Sequence, residues 1–329
     1  MNSNKVLFIS TILLVNFWCD AQLAIAQQSD YPSKPVRIIV PFPPGSSDTA
    51  ARVVGQKLSS NLGQPFVVEN RPGAGSVIGT DFVAKSPANG YTLLFQTCAL
   101  AGNPCIYERL PYDTIKDFDP IGLVSYSPMV FVAHPSFPAN SLKELIELAK
   151  AQPGKFNYAN NGSGSISHLS FELFKAMAGV RITGVQYKGA GPSVIAVMSG
   201  EVQMMIGPVG ATISYLKSGR LKAIALASNR RSSVLPDLPT MSDSGIPGFD
   251  AVCWYGLLAP RGTPPAIVKR LNEEIVSIMK MPDVHQQITG LGLDPTSSTP
   301  NEFGEHIKKE IEMYSRTVRD AGIARLPLK

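Results

Sequence analysis

Two polar loops carry the residue types best suited to chemistry. The first is Pro43-Pro44-Gly45-Ser46-Ser47-Asp48. It follows the apolar run 36–40 and precedes Ala50, Val53, Val54 and Leu58, which recur at helical spacing. Such a run reads as a buried parallel strand. Ser46, Ser47 and Asp48 are each good helix N-caps. A strand–loop–helix unit of this kind sits at the carboxyl end of an open α/β sheet, where ligands bind. The helix start offers free amides and a positive dipole end, which suit an anion. An ordinary connecting turn is the competing reading. The second loop, Asn160-Asn161-Gly162-Ser163-Gly164-Ser165, repeats the pattern between a short strand at 156–159 and a helix at 166–178, with His168 in its first turn. Two such loops in separate halves of a chain can face each other across a cleft.

Other motifs are weaker. Gly73, Gly75 and Gly79 look superficially like a dinucleotide loop, but no convincing acidic residue follows ~20 positions on. Ser165 and His168 lie three apart and share a helix face, which leaves a hydrolase open, although no G-x-S-x-G elbow surrounds a serine. No Cys/His spacing matches a zinc site, and no Walker motif occurs. No cofactor or metal is expected.

The elements that must position these loops follow from periodicity. Strands are expected at 66–68, 91–96, 121–124, 129–133, 184–187, 202–206, 222–226 and 251–259. Helices are expected near 77–85, 142–151, 192–198 and 209–217, and over the apolar stripe Ile267, Leu271, Ile275 and Met279. Ser141/Glu144 opens one helix as a capping box, and Thr299-Pro300-Asn301-Glu302 starts the last. The loop Lys188-Gly189-Ala190-Gly191 precedes another helix, and the run 97–117 reads as a long irregular connection. Alternating strands and helices make an α/β fold. Two amphipathic helices at the end of the chain pack on a domain already begun, so we expect domain one over 27–125, domain two over 126–250 and a return to domain one over 251–329.

Residues 1–26 are expected to be a secretory leader: Lys5, the apolar stretch from Val6 to Trp18, then the small-x-small site Ala24-Ile25-Ala26. Cys19 does not fit a lipoprotein anchor, because bulky Trp18 precedes it. No later stretch approaches the ~20 apolar residues of a membrane span. The rest of the chain is expected to be exported. The net charge is +5, with 17% charged residues and scattered Lys and Arg, which argues against a nucleic-acid face. Three cysteines then meet an oxidising compartment. Cys98 and Cys105 flank the turn-rich Gly102-Asn103-Pro104, and a small disulfide loop between them is the pairing taken, against the alternative that they stay unpaired. Cys253 is then a buried free thiol.

Taken together, the motifs resemble the substrate-binding receptors of tripartite tricarboxylate transporters, the Bug receptors. The similar stretches begin with the one opening at Tyr31-Pro-Ser-Lys-Pro-Val, followed by Val68-Glu-Asn-Arg-Pro-Gly-Ala-Gly75 and Asn89-Gly-Tyr-Thr-Leu-Leu94. Then come the second polar loop with His168-Leu169, Tyr187-Lys-Gly189, Leu235-Pro-Asp-Leu-Pro-Thr240, Pro247-Gly-Phe249 and Trp254-Tyr-Gly-Leu-Leu-Ala-Pro260. They run in family order over nearly the whole chain. The resemblance implies a two-lobed, hinged periplasmic-binding-protein fold, each lobe a mainly parallel sheet flanked by helices. It implies no enzyme activity but capture of a small carboxylated compound and its presentation to membrane permease subunits. It implies a periplasmic monomer, with docking on a sensor kinase as the other receptor role. By position it gives Phe42, Pro44, Gly45, Ser46, Ser47, Asp48, Gly75, Ser76 and Thr97 in the first lobe. In the second it gives Asn161, Ser163, Gly164, Ser165, His168, Lys188, Gly189, Ala190 and Gly207. Gly45 and Ser46 amides and the Ser47 hydroxyl would hold a carboxylate, and Ser163, Gly164 and Ser165 the far end. Asp48 reads either as a helix cap or as an acceptor for a ligand amine, Phe42 as core or ligand platform, His168 as a packed histidine or a ligand contact, and Lys188 as a rim charge or a ligand contact. The first loop is a residue shorter than is usual in the family, Gly207 replaces an acidic or polar residue, and Cys98 and Cys105 are unusual.

Overall fold

The computed structural model describes residues 31–162 and 164–328; the expected leader and Ser163 lie outside them. The chain opens with β1 (Val36–Val40), α1 (Ser46–Leu62), β2 (Phe66–Asn70), α2 (Val77–Ala84), β3 (Thr92–Thr97) and α3 (Ala99–Ile106). Strand β1 is central because Val36, Ile38, Ile39 and Val40 are all fully buried, and it pairs in parallel with β2 and β3. Strand β4 (Phe118–Ser127) then leads across Pro128 into β5 (Met129–Ala133), which belongs to another sheet. There follow α4 (Leu142–Ala151), β6 (Asn157–Asn160), α5 (Ile166–Ala178), β7 (Thr183–Gln186), α6 (Ala190–Met198), β8 (Met204–Pro208), α7 (Val209–Lys217) and β9 (Lys222–Leu226). The chain ends with β10 (Cys253–Pro260), α8 (Pro265–Ile278), α9 (Pro282–Gly290), β11 (Asp294–Pro295) and α10 (Pro300–Asp320).

The first sheet has the order β11-β4-β10-β3-β1-β2 and the second β7-β6-β8-β5-β9. In the first, β10 runs antiparallel to both neighbours, and in the second β5 does. These are the two strands by which the chain enters a sheet from the other one. Each begins at the boundary, where the parallel strands end, so it must run the opposite way. The parallel strands of both sheets therefore turn their carboxyl ends towards that boundary, the position at which open α/β sheets bind ligands.

Side chains of β5 alternate between two cores, as the pleat requires. Phe131 packs with Phe171 and Phe174, beside the stacked pair Tyr158–Phe171. Val130 and Val132 face Val197, Met205 and Val209. The capping box of Thr299 and Glu302 starts α10 as expected. That helix buries Phe303, Ile307, Tyr314 and Val318 against the first sheet.

The expected irregular connection after β3 contains α3, and this overturns the Cys98–Cys105 pairing. Cys98 is the N-cap of α3 and Cys105 lies near its end. Seven residues of helix separate them by about 10 Å, beyond the ~7 Å between Cα atoms that a disulfide spans. The disulfide joins Cys98 to Cys253, with Cα atoms 5.1 Å apart. Pairing of β3 with β10 brings them together, and the Cys98 amide donates to the Trp254 carbonyl at 3.2 Å. Cys105 is instead the buried free thiol. It lies 3.3 Å from Ser315 Oγ, and burial pushes its pKa up.

Candidate ligand-binding cleft

A cavity of about 720 Å³ lies between the two sheets. Its first-lobe wall starts where β1 runs into α1. Gly45 is the N-cap of that helix, and no side chain caps it. Ser46, Ser47 and Asp48 are the first turn, one step inside the capping position expected for them. Their amides have no intrahelical acceptor, because the first turn of any helix lacks one. The Ser46 hydroxyl lies 2.9 Å from the Tyr255 hydroxyl. Burial raises the Tyr255 pKa, so it stays a neutral phenol able to donate or accept. Phe42 is half-buried against the first core and also lines the cavity.

The second-lobe wall is the loop before α5, and this loop bonds to itself. The Gly162 amide donates to Asn160 Oδ1 at 3.0 Å, and the Gly164 amide to His168 Nδ1 at 3.0 Å. The Ser165 amide donates to the Gly162 carbonyl at 3.1 Å. Ser165 is the N-cap of α5, its Oγ accepting from the His168 amide at 3.3 Å. Burial holds the His168 imidazole below its ordinary pKa, which suits a ring nitrogen that must accept. Gly164 has φ +73°, and a side chain there would meet Ile106 Cδ1 at 2.7 Å. Glycine thus lets the second-lobe loop lie directly on α3. Nearby Leu169 of α5 is buried in the first-lobe core.

Of the expected site residues, Phe42, Pro44, Gly45, Ser46, Ser47, Gly75, Thr97, Asn161, Gly164, Ser165 and Ala190 line this cavity. Asp48, Ser76, His168, Lys188, Gly189 and Gly207 lie outside its lining, each for a local reason. Asp48 pairs with Arg52 at 2.9 Å, one turn along α1. Ser76 is buried, its Oγ accepting from Asn103 Nδ2 at 3.2 Å and Gln96 Nε2 at 3.3 Å. His168 turns back to its own loop. Lys188 is exposed. Gly189 forms the N-cap of α6 just before Ala190, and Gly207 is buried within β8, the wall being formed by its neighbour Pro208.

The cavity also takes residues that sequence reasoning missed: Asn103 and Ile106 of α3 and its C-cap Tyr107, Ser127, Tyr255, Tyr314 and the Cys98–Cys253 disulfide. Asn103 holds the Gly75 carbonyl at 3.1 Å. Tyr255 had a signal in the Trp254-Tyr-Gly stretch, yet only the antiparallel insertion of β10 aims it at Ser46. Among the described lining residues there is no Lys, Arg, His, Asp or Glu. Behind this wall Glu310 is buried; burial raises its pKa to about 8, while Trp254 Nε1 donates to its carboxyl group.

Known proteins resemble this chain along its length. The family described as "Tripartite tricarboxylate transporter family receptor" matches residues 50–323. Protein BugT of Bordetella pertussis is 38% identical over 326 residues, covering 98% of this chain and 99% of BugT. The structure of R. palustris Rpa4515 with adipate is 34% identical with a TM-score of 0.77, covering 90% of this chain and 100% of that one. MatC from Rhodopseudomonas palustris with bound malate is 32% identical with a TM-score of 0.72, covering 88% of this chain and 100% of that one. The family is one of solute receptors and not of enzymes, and the Ser165–His168 contact is accordingly a helix cap. The two-sheet topology, the cleft at the strand ends and the match along the chain lead to one conclusion: this protein belongs to the tripartite tricarboxylate transporter receptor family of periplasmic solute receptors.

Proposed function

We propose that the chain captures a small carboxylated compound between its lobes and delivers it to the membrane subunits of a tripartite permease. The observation that carries this reading is the amino end of α1, which no side chain caps, opening on a cavity without a charged side chain among its described lining residues. A carboxylate brings its own charge, orphan amides and hydroxyls offset its lost hydration, and no acidic wall repels it. In this reading the amides of Gly45 and Ser46 and the hydroxyl of Ser47 hold one carboxylate, with Ser46 and Tyr255 beside it. Gly164, Ser165, Asn161 and Ala190 meet the far end. Adipate on Rpa4515 and malate on MatC support a carboxylate by kinship. Residues 27–125 with 251–329 act as one lobe and 126–250 as the other. The two chain crossings, at Pro128 and between β9 and β10, support closure about those points. Export by a cleaved leader over 1–26 places the receptor where such a permease collects its solute.

The test is a thermal-shift screen of refolded, ligand-free protein against mono-, di- and tricarboxylates. A true ligand at a hundredfold excess over Kd stabilises the fold by about 2.7 kcal/mol. The shift should shrink in Ser46→Ala and Ser165→Ala. A flat response across the panel would overturn the carboxylate reading. Loss of cellular uptake of the same acid on deleting the receptor tests delivery.

A further inference from the structure

We infer that the Cys98–Cys253 disulfide is a positioning element of the cleft, pinning the strand on which the lobes are joined so that α1 and Tyr255 are held ready for ligand. The inference deepens the proposed function and rests on that reading of the cleft.

The position of Cys253 carries the argument. Just before it, the Ala251 amide still donates to Ala227 in the second lobe, at 3.1 Å. Just after it, the Trp254 carbonyl accepts from Cys98 in the first lobe, at 3.2 Å. The chain changes lobe across these few residues, and the disulfide is the covalent tie at the change. Both cysteines line the cavity. Two residues along β10, on the face that Cys253 also presents, Tyr255 reaches Ser46 at 2.9 Å. On the other side of the bond, Thr97 Oγ1 accepts from the Ala99 amide at 3.2 Å and so fixes the start of α3, whose Asn103 holds the Gly75 loop. One bond therefore ties the joining strand to the α3 wall, while Tyr255 links that strand to α1. Cys105 is buried near the far end of α3 and takes no part.

Reduction by a dithiol breaks the S–S bond, places two electrons and two protons on Cys98 and Cys253, and leaves the reductant as its own cyclic disulfide. The decisive measurement is amide hydrogen exchange by mass spectrometry on oxidised protein, reduced protein and the C98S/C253S double variant, at a temperature where all three are folded. The segment 42–49 reports on the inference, because Ser46 meets Tyr255, two residues from Cys253 on β10. We expect its exchange to rise at least fivefold in both bond-free forms, with β6 and β7 unchanged and C105S matching the parent. Reoxidation of the reduced protein should restore slow exchange. Equal exchange at 42–49 in oxidised and reduced protein overturns the inference, as does an equal rise throughout the second sheet, which would make the bond a global staple only. A parallel titration with adipate and malate should show at least fivefold weaker binding on reduction for whichever acid binds, and unchanged affinity overturns the inference. If no acid in the panel binds either form, the proposed function fails, while the exchange result still decides the role of the bond.

Discussion

The two polar loops of the cleft look alike in sequence and differ in what they have left to offer. The loop before α1 is capped by glycine, so no side chain of the loop takes up its first-turn amides, and the Ser46 hydroxyl is shared with Tyr255. The loop before α5 spends the amides of Gly162, Gly164 and Ser165 on Asn160, His168 and itself. A helix N-terminus is therefore an anion site only when its own side chains do not fill it. In the proposed reading the first loop is the one that holds the carboxylate. The second, which bonds to itself, is a wall that meets α3 through Gly164.

The contrast can be broken most severely at Ser46. Proline is tolerated at the first position of a helix, and the extended backbone of Gly45 suits a following proline. Ser46→Pro should leave the fold stable but remove an amide and a hydroxyl that serve a charged ligand. We expect carboxylate affinity, measured by calorimetry, to fall roughly thirtyfold or more. An unchanged affinity would mean that the first loop is not the anion site. Gly164→Ala should act on the other loop and on stability: forcing a side chain into positive φ against Ile106 should cost about 1–3 kcal/mol in denaturant unfolding. Ser165→Ala removes the α5 cap and should cost about 1 kcal/mol of stability, with a smaller effect on affinity than Ser46→Pro.

The smallest effect concerns pH. His168 has a depressed pKa in the folded protein, so the unfolded chain binds its proton first as pH falls below the ordinary histidine value. Its contribution to stability is present at neutral pH and is lost as pH drops through 6.5 towards the folded pKa. The thermal midpoint should therefore fall on acidification more in the parent than in His168→Gln. Exchange at 162–165 should quicken over the same range while that at 46–49 does not.

Much of the scaffold was legible in sequence. The run 36–40 with its Pro-Gly loop and α1, the second loop with α5, and the Thr299–Glu302 box all report on themselves, because strand, turn and cap signals act over a few residues. Helix α3 was not legible: Gly102-Asn103-Pro104 carries turn chemistry, and packing of Leu100, Ala101, Cys105 and Ile106 into the first core overrides it. That one miss led directly to the wrong disulfide. Asp48, Ser76 and His168 had the right chemistry for a site, and their partners Arg52, Asn103 and Gly164 turned them elsewhere.

By itself the sequence determined the alternation of strands and helices, the positions of the two polar loops and the family, since periodicity, caps and ordered local motifs are written in neighbouring residues. Only the tertiary structure decided which cysteines meet and that Tyr255 faces Ser46. Those outcomes depend on β10 entering the first sheet between β3 and β4, which sets Cys98 and Cys253 side by side across a separation of 155 residues that no local pattern encodes.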